Sequence, residues 1–142
     1  MISQKAKYAL RALIELARAE PGEALQIADI AERQRIPRKF LEQILLDLKH
    51  RGLVMSKRGA HGGYALLKPA ASISFTEVLR LIDGPVAPLP CLSQTAYRRC
   101  EDCPSESACE VRRAFAAVAD AERAVLDATS IADAARPVRR RR

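Results

Sequence analysis

The residues whose type and spacing could do the most distinctive chemistry are four cysteines, Cys91, Cys100, Cys103 and Cys109. Their pattern is Cys91-x8-Cys100-x2-Cys103-x5-Cys109. Soft thiolates at this density suit an iron-sulfur cluster, of the 2Fe-2S or 4Fe-4S type, or zinc. A structural zinc site more often shows two paired C-x2-C knuckles, and only Cys100 and Cys103 form such a pair, so the spacing favours the cluster and leaves zinc open. A thioredoxin-like redox role for this C-x-x-C would need a βαβ setting that the flanking residues lack. A further use is a reversible thiol/disulfide switch, since Arg98, Arg99, Arg112 and Arg113 could favour thiolates. Clustering in one stretch is unlike a disulfide framework spread across a fold.

The second chemistry is recognition of a polyanion. The formal charge of +7 is unevenly placed: residues 1–70 carry +6, residues 71–135 carry −4, and the last seven residues carry five arginines and no acid. A basic front half suits nucleic acid, because neutralising phosphates releases condensed counterions. Within it, a stretch from Arg38 to Arg51 places Phe40, Leu41, Ile44, Leu45 and Leu48 on one helical face. Lys39, Glu42, Gln43, Lys49 and His50 fall opposite, and Leu46 reads as a lone exposed leucine. Arg38, Lys39, Glu42 and Gln43 then occupy the end of the helix that reaches base edges. Gln can pair with adenine, Glu can accept from cytosine N4, and Arg or Lys can contact guanine or phosphate.

The elements that must position these groups follow from periodicity. Residues 4–19 recur as a helix ended by Pro21-Gly22, and Ile27, Ile30 and Ala31 mark a second running to about Gln34. Pro37 fits the first position of the third helix, which Gly52 stops. Leu53-Val54-Met55 and Tyr64-Ala65-Leu66-Leu67 read as strands around a basic, glycine-rich tip. That tip carries Lys57, Arg58, Gly59 and His61, with Arg58 placed to enter a minor groove. Three helices followed by such a hairpin is a winged helix-turn-helix. The alternative from another class is a zinc-holding structural or adaptor protein that binds protein partners through its wing and last helix, but a protein-binding wing would call for an apolar groove where this face is charged.

Ser74-Phe75-Thr76-Glu77 reads as a capping box opening a short helix to about Ile82, and Ser107-Ala108-Cys109-Glu110 as another opening a last helix to about Thr129. In the latter, Val111, Phe115, Val118, Ala121, Val125 and Ala128 follow the spacing of a helix seam, which predicts a homodimer. The chain is thus expected to be mainly α with a small β-hairpin. Residues 1–84 form the DNA-binding domain, 85–106 a cysteine-rich loop, 107–131 a dimerisation helix and 132–142 a disordered basic tail. Charges interrupt the N-terminal stretch, so neither a secretion signal nor a membrane span fits, and a cytoplasmic protein is expected. No Ser/His/Asp or paired-carboxylate constellation suggests an enzyme or a small-molecule substrate, and His50 and His61 belong to the DNA-facing side.

Several of these segments resemble the IscR-like (Rrf-two) winged-helix transcription regulators, which sense iron-sulfur status, nitric oxide or redox stress. They are Lys7-Tyr8-Ala9-Leu10-Arg11-Ala12-Leu13, Ile27-Ala28-Asp29-Ile30-Ala31, Phe40-Leu41-Glu42-Gln43-Ile44, the wing Ser56 to Tyr64, and the cysteine loop leading into a long helix. The resemblance implies a homodimer with crossing C-terminal helices, a double-stranded DNA operator, base reading by Glu42 and Gln43, and Arg58 in the minor groove. It also implies cluster ligation by Cys91, Cys103 and Cys109 plus one further ligand. Lys7 and Arg112 stand where some relatives place an acidic ligand or a histidine, and neither suits iron, which points to Cys100 as the fourth.

Overall fold

A computed structural model describes residues 2–137. Helix α1 (Gln4–Arg18) starts where the Ser3 hydroxyl accepts the Ala6 N–H at 3.0 Å, and it buries Ala6, Ala9, Leu10, Ala12, Leu13 and Leu16. This recurring apolar face makes α1 the central post, against which the second, third, fourth and sixth helices pack. Helix α2 (Ile27–Gln34) ends on Arg35, whose φ of 52° turns the chain toward Ile36 and Pro37. Helix α3 (Arg38–His50) buries Leu41, Ile44, Leu45 and Leu48 completely, and Leu46 stays exposed as expected. Pro37 is the cap of α3 rather than its first helical residue.

Two further ties hold α1 to its neighbours. The Lys5 ammonium meets the Asp47 carboxylate of α3 at 2.6 Å. Glu15, buried on α1, accepts from Gln34 Nε2 at 2.6 Å and lies 3.5 Å from the Arg33 guanidinium, while Arg11 donates to the Gln34 carbonyl at 2.6 Å. Glu15 reads in the sequence as a surface charge, but burial of a carboxylate is tolerable when it is paired and hydrogen-bonded in this way.

Strands β1 (Val54–Lys57) and β2 (Gly63–Leu66) pair antiparallel, with Val54 opposite Leu66 and Lys57 opposite Gly63. The hairpin is narrower at its base and longer toward the tip than the apolar runs suggested. Tyr64 also exchanges two backbone hydrogen bonds of 2.8 Å with Leu25, which fastens the wing to the chain entering α2. This approach is close enough that a Cβ on Gly63 would lie 2.2 Å from the Leu25 carbonyl oxygen.

Helix α4 (Phe75–Asp83) opens on Ser74, whose hydroxyl accepts the Glu77 N–H at 3.1 Å. The reciprocal half of the expected capping box is absent, because Glu77 pairs with Lys68 at 2.9 Å instead. Helix α5 (Glu110–Ala128) does not begin at Ser107: Cys109 caps it, and Ser107 bonds the Ser105 hydroxyl within the preceding turn. Cys109 wins because its sulfur lies within reach of the Arg112 N–H.

The largest correction concerns the tail. Ser130 and Asp133 form a complete capping box that opens helix α6 (Ile131–Ala135), whose Ile131 is fully buried and which packs on α1. Residues 132–135 are therefore helical rather than disordered, because the Ser130 and Asp133 cap nucleates a turn just before the arginine run. Of the expected disordered tail, positions 138–142 lie outside the described residues. Hydrogen bonds from Phe75 N to Thr129 O and from Ile131 N to Ile73 O, each 2.9 Å, strap the end of α5 to the start of α4. The long helix is thus fixed to the winged domain at its C-terminal end. Among the described residues no helix is long and apolar enough to cross a membrane.

Candidate nucleic-acid interface and cysteine loop

The polar face of α3 and the wing lie on one side of the molecule. Arg38, Lys39, Glu42 and Gln43 are all exposed, carried by the first two turns of a helix whose opposite face is locked in the core. Arg38 and Glu42 pair along the helix at 3.5 Å, an exposed i,i+4 contact of small energetic weight that a stronger partner can displace. Gln43 donates its amide to Asp47 at 3.1 Å. The neighbouring Lys5 ammonium is the main cause holding the Asp47 carboxyl below its ordinary value. Lys39 has no ion-pair partner among the described residues.

The wing brings Lys57 and Gly59 beside this helix, since Arg38, Ser56, Lys57 and Gly59 border one shallow groove, while His61 lies over Gly22, Glu23 and Arg33 on the other side of the tip. Lys57 differs in role from the rest: its ammonium donates to the Gly22 carbonyl at 2.6 Å and braces the wing. Arg58 and His61 lie at the tip and are both exposed. The tip turns tightly because Gly62 N donates to Gly59 O at 3.0 Å, and a Cβ on Gly62 would lie 2.4 Å from the Lys57 carbonyl oxygen. One residue of the polar face has a structural role that its spacing does not show. Lys49, near the C-terminal end of α3, donates to the Ser56 hydroxyl of β1 at 2.9 Å and ties recognition helix to wing.

The cysteines occupy the segment between α4 and α5. Cys91 is buried in a single 3-10 turn, Pro90–Leu92, at the base of the loop. The loop then folds on itself through Arg98 N to Pro90 O at 3.1 Å, Arg99 Nη2 to Cys103 O at 3.0 Å, and the Tyr97 hydroxyl on Glu106. A turn hydrogen bond of 3.3 Å from Cys103 N to Cys100 O links the C-x-x-C pair. Cys100 is exposed, Cys103 and Cys109 are partly so, and none of the four is disulfide-bonded. Partial loss of solvation raises the Cys100 thiol above its ordinary value, and the negative potentials of Cys91, Asp102, Cys103 and Cys109 add to this. Of the arginines expected to favour thiolates, Arg99 spends its guanidinium on the Cys103 and Pro104 carbonyls. Among the described residues no three His, Cys, Asp or Glu side chains are drawn together tightly enough to hold a single metal ion.

On α5 the residues that face the winged domain are Ala119, which is buried, and Leu126, which packs on the core. The expected seam lies away from it: Val111, Phe115, Val118 and Val125 are exposed.

Comparison with known proteins places this arrangement. The family model described as Rrf2, iron-dependent transcriptional regulator, matches residues 2–137. A protein of Rhodobacter capsulatus named as an rrf2-like HTH-type transcriptional regulator is 50% identical over 136 residues, covering 94% of this chain and 91% of the relative. IscR of Cereibacter sphaeroides is 38% identical over 87 residues, covering 60% of this chain and 56% of its own. Among solved structures, CymR, the global cysteine regulator of B. subtilis, superposes with a TM-score of 0.79 at 31% identity over 95% of each chain. IscR of T. potens superposes with a TM-score of 0.72 at 25% identity, over 94% of this chain and 85% of the other.

Proposed function

Since the chain belongs to the Rrf2 family of DNA-binding transcriptional regulators, we propose that it is a repressor whose affinity for a double-stranded DNA operator is set by an iron-sulfur cluster on the Cys91–Cys109 loop. The observation that carries the cluster is the donor set: four thiols, none of them disulfide-bonded, on the one short segment that joins α4 to α5. Thiolate-only donors fit iron-sulfur chemistry. Cys91, Cys100, Cys103 and Cys109 would hold the cluster, which when bound would supply iron- and redox-dependent bonding to these sulfurs.

The chain's own residues supply the rest. Arg38, Lys39, Glu42 and Gln43 meet base edges and phosphates in the major groove, and Arg58, flanked by Gly59 and His61, enters the minor groove. Lys57 holds the wing at its working angle. Two copies join through the apolar face of α5, so that two recognition helices meet two half-sites. Cys109 ends the loop and begins α5, whose far end is strapped to α4. The bonding state of its sulfur therefore bears on the helix that sets the spacing of the two winged domains, and operator affinity follows that spacing.

A second reading has one observation in its favour. The turn bond between Cys103 and Cys100 puts their backbones at β-turn separation, within the span of a disulfide. The solved relatives also include CymR of Staphylococcus aureus in an oxidised form. Against it, a thiol raised above its ordinary value is a poor attacking thiolate at neutral pH.

The deciding experiment is an ultraviolet-visible spectrum with iron and acid-labile sulfide assays on protein purified without oxygen, beside Cys100→Ala. Visible absorption with matching iron and sulfide, lost in the variant, supports the cluster. A colourless, iron-free protein after anaerobic reconstitution overturns it in favour of thiol or zinc chemistry.

A further inference from the structure

Gln43 sits on the exposed face of α3, and its amide has one partner. Nε2 donates to Asp47 Oδ1 at 3.1 Å, while the second oxygen of the same carboxylate, Oδ2, accepts from Lys5 Nζ at 2.6 Å. An ionised carboxylate only accepts hydrogen bonds, so the single orientation in which Gln43 can pair with it turns nitrogen toward Asp47. Its Oε1 accepts nothing among the described residues and remains available. Lys5 comes from α1 and is about a third exposed, as is Asp47, so the ammonium fixes the carboxylate from behind the recognition helix.

We infer that Asp47, held by Lys5, is a positioning residue that fixes the Gln43 amide with its carbonyl oxygen outward, and so sets which base this regulator accepts at one operator position. This rests on the reading of α3 as the base-reading helix. A carbonyl presented to the major groove needs a donor, which only adenine N6 and cytosine N4 provide there. The remaining Nε2–H can at the same time meet adenine N7, so adenine gains a second bond and cytosine does not. Guanine and thymine present acceptors where the carbonyl points and are disfavoured. In the absence of Asp47 the amide can rotate by half a turn and offer a donor instead, which removes that discrimination. Lys5 and Asp47 need not touch DNA for this effect.

The test is in vitro selection of operator sequences by the purified full chain, followed by affinity measurements on all four base pairs at each selected position. Gln43→Ala identifies the position Gln43 reads, as the one whose preference disappears. At that position the wild type is expected to favour adenine, then cytosine, by about tenfold over guanine and thymine. Asp47→Asn should lower that ratio below about threefold with preferences elsewhere unchanged, and Lys5→Met should lower it at the same position to a smaller degree. Lys39→Met provides the contrast, with affinity falling for every sequence and the salt slope reduced by about one, without a change in preference. A wild type that selects guanine or thymine there overturns the inference, as does an unchanged profile in both Asp47→Asn and Lys5→Met. If Asp47→Asn does not fold, Lys5→Met alone decides. Absence of any sequence-selective, salt-dependent DNA binding by the wild type would instead remove the DNA-reading assignment on which the inference stands.

Discussion

The sulfur of Cys109 accepts the backbone N–H of Arg112 at 3.4 Å, so the last cysteine of the loop is also the cap of α5. A capping side chain satisfies one of the first free N–H groups of a helix, and its loss costs about 1 kcal/mol. Cys109 therefore has two separable roles. In metal-free, reduced protein, Cys109→Ser should keep or improve the stability of α5, whereas Cys109→Ala should lower it by about 1 kcal/mol in denaturant unfolding. Both variants should lose iron and visible absorption equally. Equal stability of the two would show that the cap has no energetic weight.

The wing depends on two close backbone approaches. A side chain on Gly63 would meet the Leu25 carbonyl, at a φ of 135° that L-residues rarely adopt, and one on Gly62 would meet the Lys57 carbonyl. Gly63→Ala must therefore push β2 off Leu25 and tilt the hairpin. Displaced backbone of this kind costs about 1–3 kcal/mol, and because the helical core is untouched the cost should appear chiefly as misplacement of Arg58. We expect Gly63→Ala and Arg58→Ala each to weaken operator binding by tenfold or more in a mobility-shift titration, with only Gly63→Ala lowering the melting temperature. A Gly63→Ala protein that binds like wild type would show that the Leu25 bridge does not set the wing.

Much of this was legible in the sequence, and the limits are instructive. Leu41, Ile44, Leu45 and Leu48 declare the buried face of α3 by spacing alone, and all four are fully buried. The exposed positions of Arg38, Lys39, Glu42 and Gln43 follow from that same phase. Pairings between distant segments left no periodic trace. Lys5 with Asp47, Glu15 with Gln34, and Lys49 with Ser56 are made by side chains that look like ordinary surface polar residues until the helices are packed. Helix α6 is hidden in the sequence for a different reason. Its Ser130 and Asp133 box is as clear as that of Ser74, but five residues bury too little apolar surface to form a helix alone, and only α1 makes Ile131 a core residue.

Acid should expose two of these ties. The Lys5 bond is the main cause lowering the Asp47 carboxyl, and the Ser130 backbone N–H is the main cause lowering that of Asp133, both below the ordinary value of 3.8. A carboxyl lowered on folding stabilises the native state above its unfolded value, and the contribution disappears as pH falls through the folded value. Stability should therefore decline with falling pH between about pH 5 and pH 2, and the Asp47→Asn/Asp133→Asn double variant should decline less steeply over that window. Both groups are solvent-accessible, so salt should shrink the difference. Parallel wild-type and variant curves would show that neither carboxylate stabilises the fold.

The apolar face of α5 gives the last prediction. Val111, Phe115, Val118 and Val125 are each more than 40% exposed, while Ala119 on the adjoining face of the same helix is 5% exposed against its own domain. A helix that already buries one face and still displays a row of large apolar groups at seam spacing has a second surface to cover. With the end of α5 strapped to α4, a second copy of the chain can cover that row without disturbing the winged domain. Phe115→Glu combined with Val118→Glu puts two charges into such an interface, where desolvation without partners is costly. The wild type should sediment as a dimer and the double variant as a monomer of unchanged helix content by circular dichroism, with operator affinity reduced at least tenfold because half-sites are then bound singly. A double variant that remains dimeric would move the interface off this face of α5.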